Sequence, residues 1–487
     1  MPQRTITRRE LLAGLAVGSG TALLGMVGCS RSQNAVISRG EDLTMLDLSE
    51  ASNAVRVKEV SPVELTKACL ERIGRLDGKL NSFITVTPEI ALEHARSAEE
   101  AVTKGGWQGP LHGIPIAVKD NIDTAGIRTT AASAVFLDRV PTRDAEVIRR
   151  LKDAGAVILG KLNLHEFAGG TTSAISHFGP VRNPWNLEYI AGGSSGGNGA
   201  AVAAGLCFGS VGTDTGGSIR IPAACCGIVG LKPTYDVVNT DGLIFVSRSF
   251  DHIGPMCRTV TDTALMFGAM TDHPVARDFD PNSPPSTLGL RVGLLPAKVP
   301  ICDAEVDLEV RSVVNEAIDV IRSLVAVVRD AEIPMPELGD IIGAEEYPFH
   351  MPYLDASPAL YDPRTRENIL NGKKIAKSDY DRMVTELSQH RRMIGSAFSD
   401  VDLVVLPTLA SLPLAINEAT EPFALNACTF AFSIGGLPAI SVPCGFSRSG
   451  LPVGLLIGGP PLSECKILAL AAAYEKAAGW EKRRPSI

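Results

Sequence analysis

Lys119, Ser194 and Ser218 are the residues whose surroundings in this sequence could carry a reaction. Lys119 follows the apolar run at 114–118, which reads as a short buried strand ending at the lysine. Desolvation there disfavours the ammonium and lowers its pKa, so a neutral amine could serve as a general base. Ser194 lies in a glycine-rich turn ahead of a small-residue helix. Ser218 follows Thr215-Gly216-Gly217, where absent side chains leave backbone N–H groups free to converge on one oxyanion. Together the three could run an acyl transfer without histidine: Lys119 takes a proton from Ser194, Ser194 takes one from Ser218, and Ser218 attacks a carbonyl. Singly, each has a plainer role, the lysine as a surface residue and the serines as turn or cap residues. Spacing alone does not lift the trio above those roles.

Other chemistries fare worse. Gly192, Ser194 and Gly196 spell G-x-S-x-G, but the preceding NPWNLEY makes a poor buried strand, and none of the eight histidines is singled out by its context. The glycines lack the Gly-Lys-Ser/Thr of a P-loop. His165-Glu166 opens an HExxH pattern that Gly169 breaks, so no zinc site follows. Ten cysteines show neither CxxC pairs nor regular spacing, which argues against a thiolate metal site and a disulfide scaffold. Cys225 and Cys226 read as small buried residues. With 46 Lys plus Arg against 54 Asp plus Glu, the net charge is −8. No basic surplus exists for binding nucleic acid.

The elements that must position the trio follow from periodicity. Residues 40–104 read as helices, one opened by Ser61-Pro62 with Glu64 and one by Pro88. A helix at 144–154 and a buried strand at 156–159 follow the lysine strand. A helix at 200–206 and a strand at 208–213 join the two glycine clusters. Alternation of helix and strand predicts an α/β fold. Residues 280–425 are more polar and irregular and read as an insertion or lobe on a single domain spanning 40–485. The chain closes with strands at 439–443 and 452–457 and a helix at 464–478.

The N-terminus reads as an address. Arg8-Arg9 precede an uncharged, Gly- and Ala-rich stretch at 11–28, which looks like a twin-arginine export signal. Met26-Val27-Gly28-Cys29 resembles a lipoprotein cleavage box with Cys29 as the lipidated residue, Met26 departing from the usual Leu. Residues 1–35 are therefore set apart from the fold, and the expected location is the periplasm or cell envelope of a bacterium, with a possible lipid anchor.

These segments taken together resemble the amidase signature family. The long motif GGSSGGNGAAVAAG…GSVGTDTGGSIRIPAACCGIVGLKPT covers 192–234, GPLHGIPIAVKDNIDTAGIRTTAAS covers 109–133, GKLNLHEFAGGTT covers 160–172, and GLPAISVPCG with GLPVGLLIGGP covers 436–460. The resemblance implies a central mixed β-sheet covered by helices on both faces, a linear-amide hydrolase activity, and no metal or organic cofactor. By position it makes Ser218 the acyl-forming nucleophile, Ser194 the bridging serine beside a cis peptide bond, and Lys119 the base. Thr215, Gly216 and Gly217 would form the oxyanion hole, and Ala168, Gly169 and Gly170 a loop lining the substrate site. Asp214 and Arg220 would hold the frame, and Ser195 would support Lys119. Ser433 stands where members often carry Asn. The partner is a small-molecule amide, and the family often forms homodimers. Phe349, Met351, Tyr353 and Leu354 could line the pocket or the core. Two alternatives share the scaffold. One is the A subunit of a tRNA-dependent amidotransferase, against which the export address argues. The other is a non-catalytic amide-binding lipoprotein, against which the full trio argues.

Overall fold

Ser61 caps its helix in both directions: its hydroxyl accepts from the Glu64 N–H, its own N–H donates to the Glu64 carboxylate, and Pro62 takes the first helical position. The resulting helix, Pro62–Leu80, packs against a second proline-opened helix, Pro88–Thr103. The computed structural model describes residues 42–295, 305–334, 336, 338–419, 425–480 and 483–487, and Asp42–Ile487 form one compact unit. The N-terminal address, Cys29 included, lies outside the described residues.

Thirteen strands occur among the described residues: β1 (Phe83–Val86), β2 (Pro115–Lys119), β3 (Val157–Leu162), β4 (Arg182–Asn183), β5 (Asn186–Ile190), β6 (Gly209–Asp214), β7 (Val229–Lys232), β8 (His252–Cys257), β9 (Arg291–Leu294), β10 (Val327–Asp330), β11 (Leu403–Pro407), β12 (Ala439–Phe446) and β13 (Pro452–Gly458). Eleven of them form one sheet in the order β1-β3-β2-β6-β8-β7-β12-β13-β11-β9-β10. β4 and β5 pair in a separate ribbon, which is where the poorly strand-like NPWNLEY falls. The sheet is mixed and flanked by helices. β2 runs parallel to β3 and β6, and β9 runs parallel to β10 and β11, while the remaining pairs are antiparallel.

Seven of these strands, β1, β4, β5, β7, β8, β9 and β10, escaped the sequence reading, and two of them show why. β1 is four residues between two long helices, too short for a period to show. β8 carries Gly254 and Pro255 in the middle of the sheet. Proline has no N–H to give, and the pairing of β8 with β7 covers only Met256 and Cys257, leaving Pro255 outside it. The segment expected as a lobe is divided. It supplies β9, β10 and β11 to the sheet, and its helices Ile341–Ala356, Pro363–Asn371 and Lys377–Met393 lie between β10 and β11 in the chain. Cys225 and Cys226 are buried, and desolvation pushes both thiols well above their ordinary range.

Candidate active site

Parallel pairing of β2 with β6 brings the carboxyl ends of the two strands to the same edge, the usual place for a site in an open α/β sheet. Lys119 closes β2, and Thr213-Asp214 close β6. The strand ends deliver Lys119 Nζ to 2.7 Å from Ser194 Oγ and 2.7 Å from Thr213 Oγ1. All three side chains are buried, Lys119 and Ser194 completely. Desolvation pulls the Lys119 ammonium from 10.5 down to about 7, against the opposing pull of Asp251 and Asp214. An amine on the edge of neutrality therefore touches a serine hydroxyl.

Ser194 sits beside a cis Gly193–Ser194 peptide, just ahead of the helix Gly196–Ala203. Ser195 Oγ donates to the Thr213 carbonyl at 3.1 Å, so it steadies the Lys119 network through Thr213 and not by touching the lysine. Ser218 follows the loop after β6 and is 6% exposed. Its carbonyl accepts from the Ser195 N–H at 3.2 Å, tying the two serine segments together. Among the described residues, no hydrogen bond joins the Ser194 and Ser218 hydroxyls directly.

The N–H groups of Thr215, Gly216, Gly217 and Ser218 donate to no acceptor among the described residues. Gly217 adopts φ +145°, and the Thr429 hydroxyl and the Ile221 side chain fill the space where a Cβ would stand. Thr215 Oγ1 donates to Asp251 Oδ1 at 2.6 Å, and the other Asp251 oxygen accepts the N–H groups of Val246 and Ser247. Burial pushes the Asp251 carboxyl up to about 6. Beneath the loop, Asp214 and Arg220 form a fully buried bidentate pair, with Nε to Oδ2 at 2.9 Å and one terminal nitrogen to Oδ1 at 2.8 Å. The guanidinium holds the Asp214 carboxyl well below the usual range. Arg220 also donates to the Thr429 carbonyl and to Ser433 Oγ, so the serine standing in an asparagine's place completes this frame.

Above Ser218 opens a cavity of about 200 Å³ whose walls include Ala168, Gly169, Gly170, Thr215 and Gly216. The His165 ring occupies the place of a Cβ at Gly170. The far wall comes from the start of the helix Ile341–Ala356, through Ile342, Gly343 and Glu346. Of the two places the sequence left open for four apolar residues of this helix, the cavity is not the one they take. Phe349, Met351, Tyr353 and Leu354 do not line this cavity. Leu354 packs in a cluster with Phe136 and Phe167, Phe349 leans on that cluster, and Met351 and Tyr353 are partly exposed. The helix turns its first two turns to Ser218 and its later turns elsewhere. Thr213, Asp251 and Glu346 were missed by the sequence reading. The one trace Thr213 left was its place at the end of a predicted strand.

Residues 64–468 match the amidase family. The chain belongs to that family. As an amidase-family enzyme it acts on C–N bonds. It is 38% identical to the A subunit of glutamyl-tRNA(Gln) amidotransferase from Moorella thermoacetica, the match covering 92% of this chain and 99% of that protein. It is 39% identical to the protein of the same name from Roseiflexus sp. (strain RS-1), covering 91% and 99%. Among solved structures, an amidase shares 31% identity with a TM-score of 0.81 over 89% of this chain and all of the other. The peptide amidase of Stenotrophomonas maltophilia shares 30% identity with a TM-score of 0.75 over 90% of this chain and 98% of its own.

Proposed function

We propose that this amidase cleaves small carboxamides through an ester formed on Ser218. The observation that carries the reading is the contact of the buried, easily deprotonated Lys119 with Ser194 Oγ. Ser218 Oγ bonds to the amide carbon while its proton passes to Ser194, whose own proton passes to Lys119. The carbonyl oxygen, now anionic, takes hydrogen bonds from unused N–H groups of the loop Thr215, Gly216, Gly217 and Ser218. One such donor is worth about 3–4 kcal/mol of barrier. The C–N bond then breaks, and the proton returns through Ser194 to the leaving nitrogen. Water attacks the ester, giving up its proton by the same path, and releases the acid. The Ser194–Ser218 link closes when substrate fills the cavity. A fluorophosphonate probe tests this. Ser218 is labelled in the intact enzyme, and the reading fails if Ser218→Ala is labelled equally. A mere amide binder would take no label.

A second reading concerns the setting of that chemistry. The match to the A subunits of amidotransferases across nearly their whole length favours it over a generic amidase. In that setting the amide is the side chain of glutamine, and the ammonia passes to a partner protein. The twin-arginine-like leader is our reason to infer an exported enzyme working alone, with Cys29 as its candidate lipid anchor. Ammonia release from glutamine against neutral amides, with fractionation of the cell, separates the two. A soluble cytoplasmic protein that releases ammonia from glutamine and co-purifies with partner proteins is the amidotransferase outcome.

A further inference from the structure

Glu345 and Glu346 are neighbours on one helix with opposite circumstances. Glu345 is fully engaged: its carboxylate accepts from the hydroxyls of Ser247, Ser249 and Tyr380 and from the Ser249 N–H. Another buried acid near the cavity, Glu166, accepts from Ser133 Oγ and the Asp362 N–H. Glu346 is 7% exposed, and among the described residues nothing donates a hydrogen bond to either of its oxygens. A buried carboxylate without a donor is costly, and this protein supplies donors to the acids around it.

The location of Glu346 suggests what its missing partner is. It lines the cavity above Ser218, and Oε1 lies 3.8 Å from where a Cβ on Gly169 would stand, beside the loop expected to hold substrate. Asp340, exposed at the start of the same helix, adds a second acid to this wall. None of the described residues lining the cavity is Lys, Arg or His. The wall opposite the reacting serine thus carries two carboxyl groups, with no cation beside them among the described residues. An anionic substrate tail would meet no counter-charge there, and an uncharged alkyl tail would leave the Glu346 carboxyl desolvated and unpaired.

We propose that Glu346 is the specificity-determining residue of this site, binding the ammonium group of an ω-amino carboxamide whose amide end lies at Ser218. This rests on the amide-cleaving reading above and names its substrate class. The ammonium donates to Glu346 and meets the field of Asp340, while the amide carbonyl faces the 216–218 loop. Burial and the neighbouring Asp340 and Asp251 push the Glu346 carboxyl up to about 8 in the empty site, and a bound ammonium draws it back to the ionised form.

The test is calorimetric binding to the Ser218→Ala enzyme, which holds amides without turning them over. The probes are amides with a terminal ammonium on three to six carbons, each paired with the alkyl amide of equal length. The expected result is that one ammonium amide binds at least about tenfold tighter than its alkyl partner. Adding Glu346→Gln should bring the pair within about twofold of each other. Equal affinities throughout the series, or a preference that survives Glu346→Gln, overturns the proposal. The first comparison needs only the intact glutamate, so it stands even if the second variant folds poorly. Failure of the chemistry itself would show separately, as absent labelling of Ser218.

Discussion

Lys119 Nζ and Ser194 Oγ lie 2.7 Å apart in a place from which water is excluded. Only the neutral amine has a lone pair to accept the Ser194 proton, so the rate should follow deprotonation of Lys119. Its ammonium is pulled down to about 7. Activity is therefore lost as pH falls through about 7 and levels off above it, in a profile of kcat/KM. Lys119→Ala should lower kcat by about 10²–10⁴-fold. Near-normal activity at neutral pH in that variant would remove the lysine from the mechanism.

Thr213 offers a sharper test of the same amine. Its hydroxyl is an acceptor for Lys119 at 2.7 Å, and a hydrogen bond of that kind favours the ammonium. Thr213→Val removes it, so the lysine loses its proton more readily. The acid limb of the profile should move to lower pH while Ser218 labelling persists. A limb that stays in place or moves upward contradicts this account of the network.

The same desolvation should make Lys119 a burden on the fold. Its folded pKa is depressed from 10.5 to about 7, so between those values the unfolded chain holds a proton that the folded chain does not. Stability then rises with pH across that window, and the full penalty is present below about 7. At about 1.36 kcal/mol per unit, the burden is on the order of 4 kcal/mol at neutral pH. Lys119→Met should be inactive yet melt higher at pH 7, with the gain shrinking as pH approaches 10. A Tm lowered equally at both pH values would mean that the lost contacts to Ser194 and Thr213 outweigh the buried charge.

What the sequence could reveal here depended on whether the signal was local. Lys119 was legible because five apolar residues run into it, and the cap at Ser61 because its partner is three residues away. The 192–234 motif placed Ser194 and Ser218 because glycines mark both turns. Thr213 reaches Lys119 across 94 positions, and Asp251 reaches Thr215 across 36. Neither meeting has a sequence period to announce it. The pocket wall shows the limit most clearly. The helix 341–356 carries Pro348 and Pro352 and no apolar stripe to announce it, and which turn of it faces Ser218 is decided by packing against distant loops, so Phe349 and Tyr353 were weighed for pocket or core and Glu346 was not.

Arg220 and Asp214 are both fully buried and bound bidentately, and Arg220 has two further acceptors in Thr429 and Ser433. Removing one partner strands the other charge. Arg220→Met should therefore destabilise by about 3–5 kcal/mol in denaturant unfolding. Ser433→Ala, which deletes one acceptor among four, should lose about 1 kcal/mol. Lys at position 220 cannot reproduce the planar fork and should behave more like Met than like Arg. If Arg220→Met left the unfolding midpoint unchanged, the pair would not be the frame of this loop.

Gly217 joins that frame to the chemistry. Its φ of +145° is closed to residues with a side chain, and the Thr429 hydroxyl and Ile221 already stand where a Cβ would go. Thr429 is held in turn, its hydroxyl donating to the Gly216 carbonyl at 2.6 Å and its own carbonyl accepting from Arg220. An added methyl cannot push Thr429 aside without disturbing that pair, so the 215–218 loop must move instead. A shift there misdirects the N–H groups proposed to hold the oxyanion, and losing even one such donor costs about 10²–10³ in kcat. Gly217→Ala should accordingly lower kcat at least that far with little change in Lys119's acid limb, since β2 and Ser194 are untouched. Should kcat fall less than tenfold, the oxyanion would have to be held by donors outside this loop.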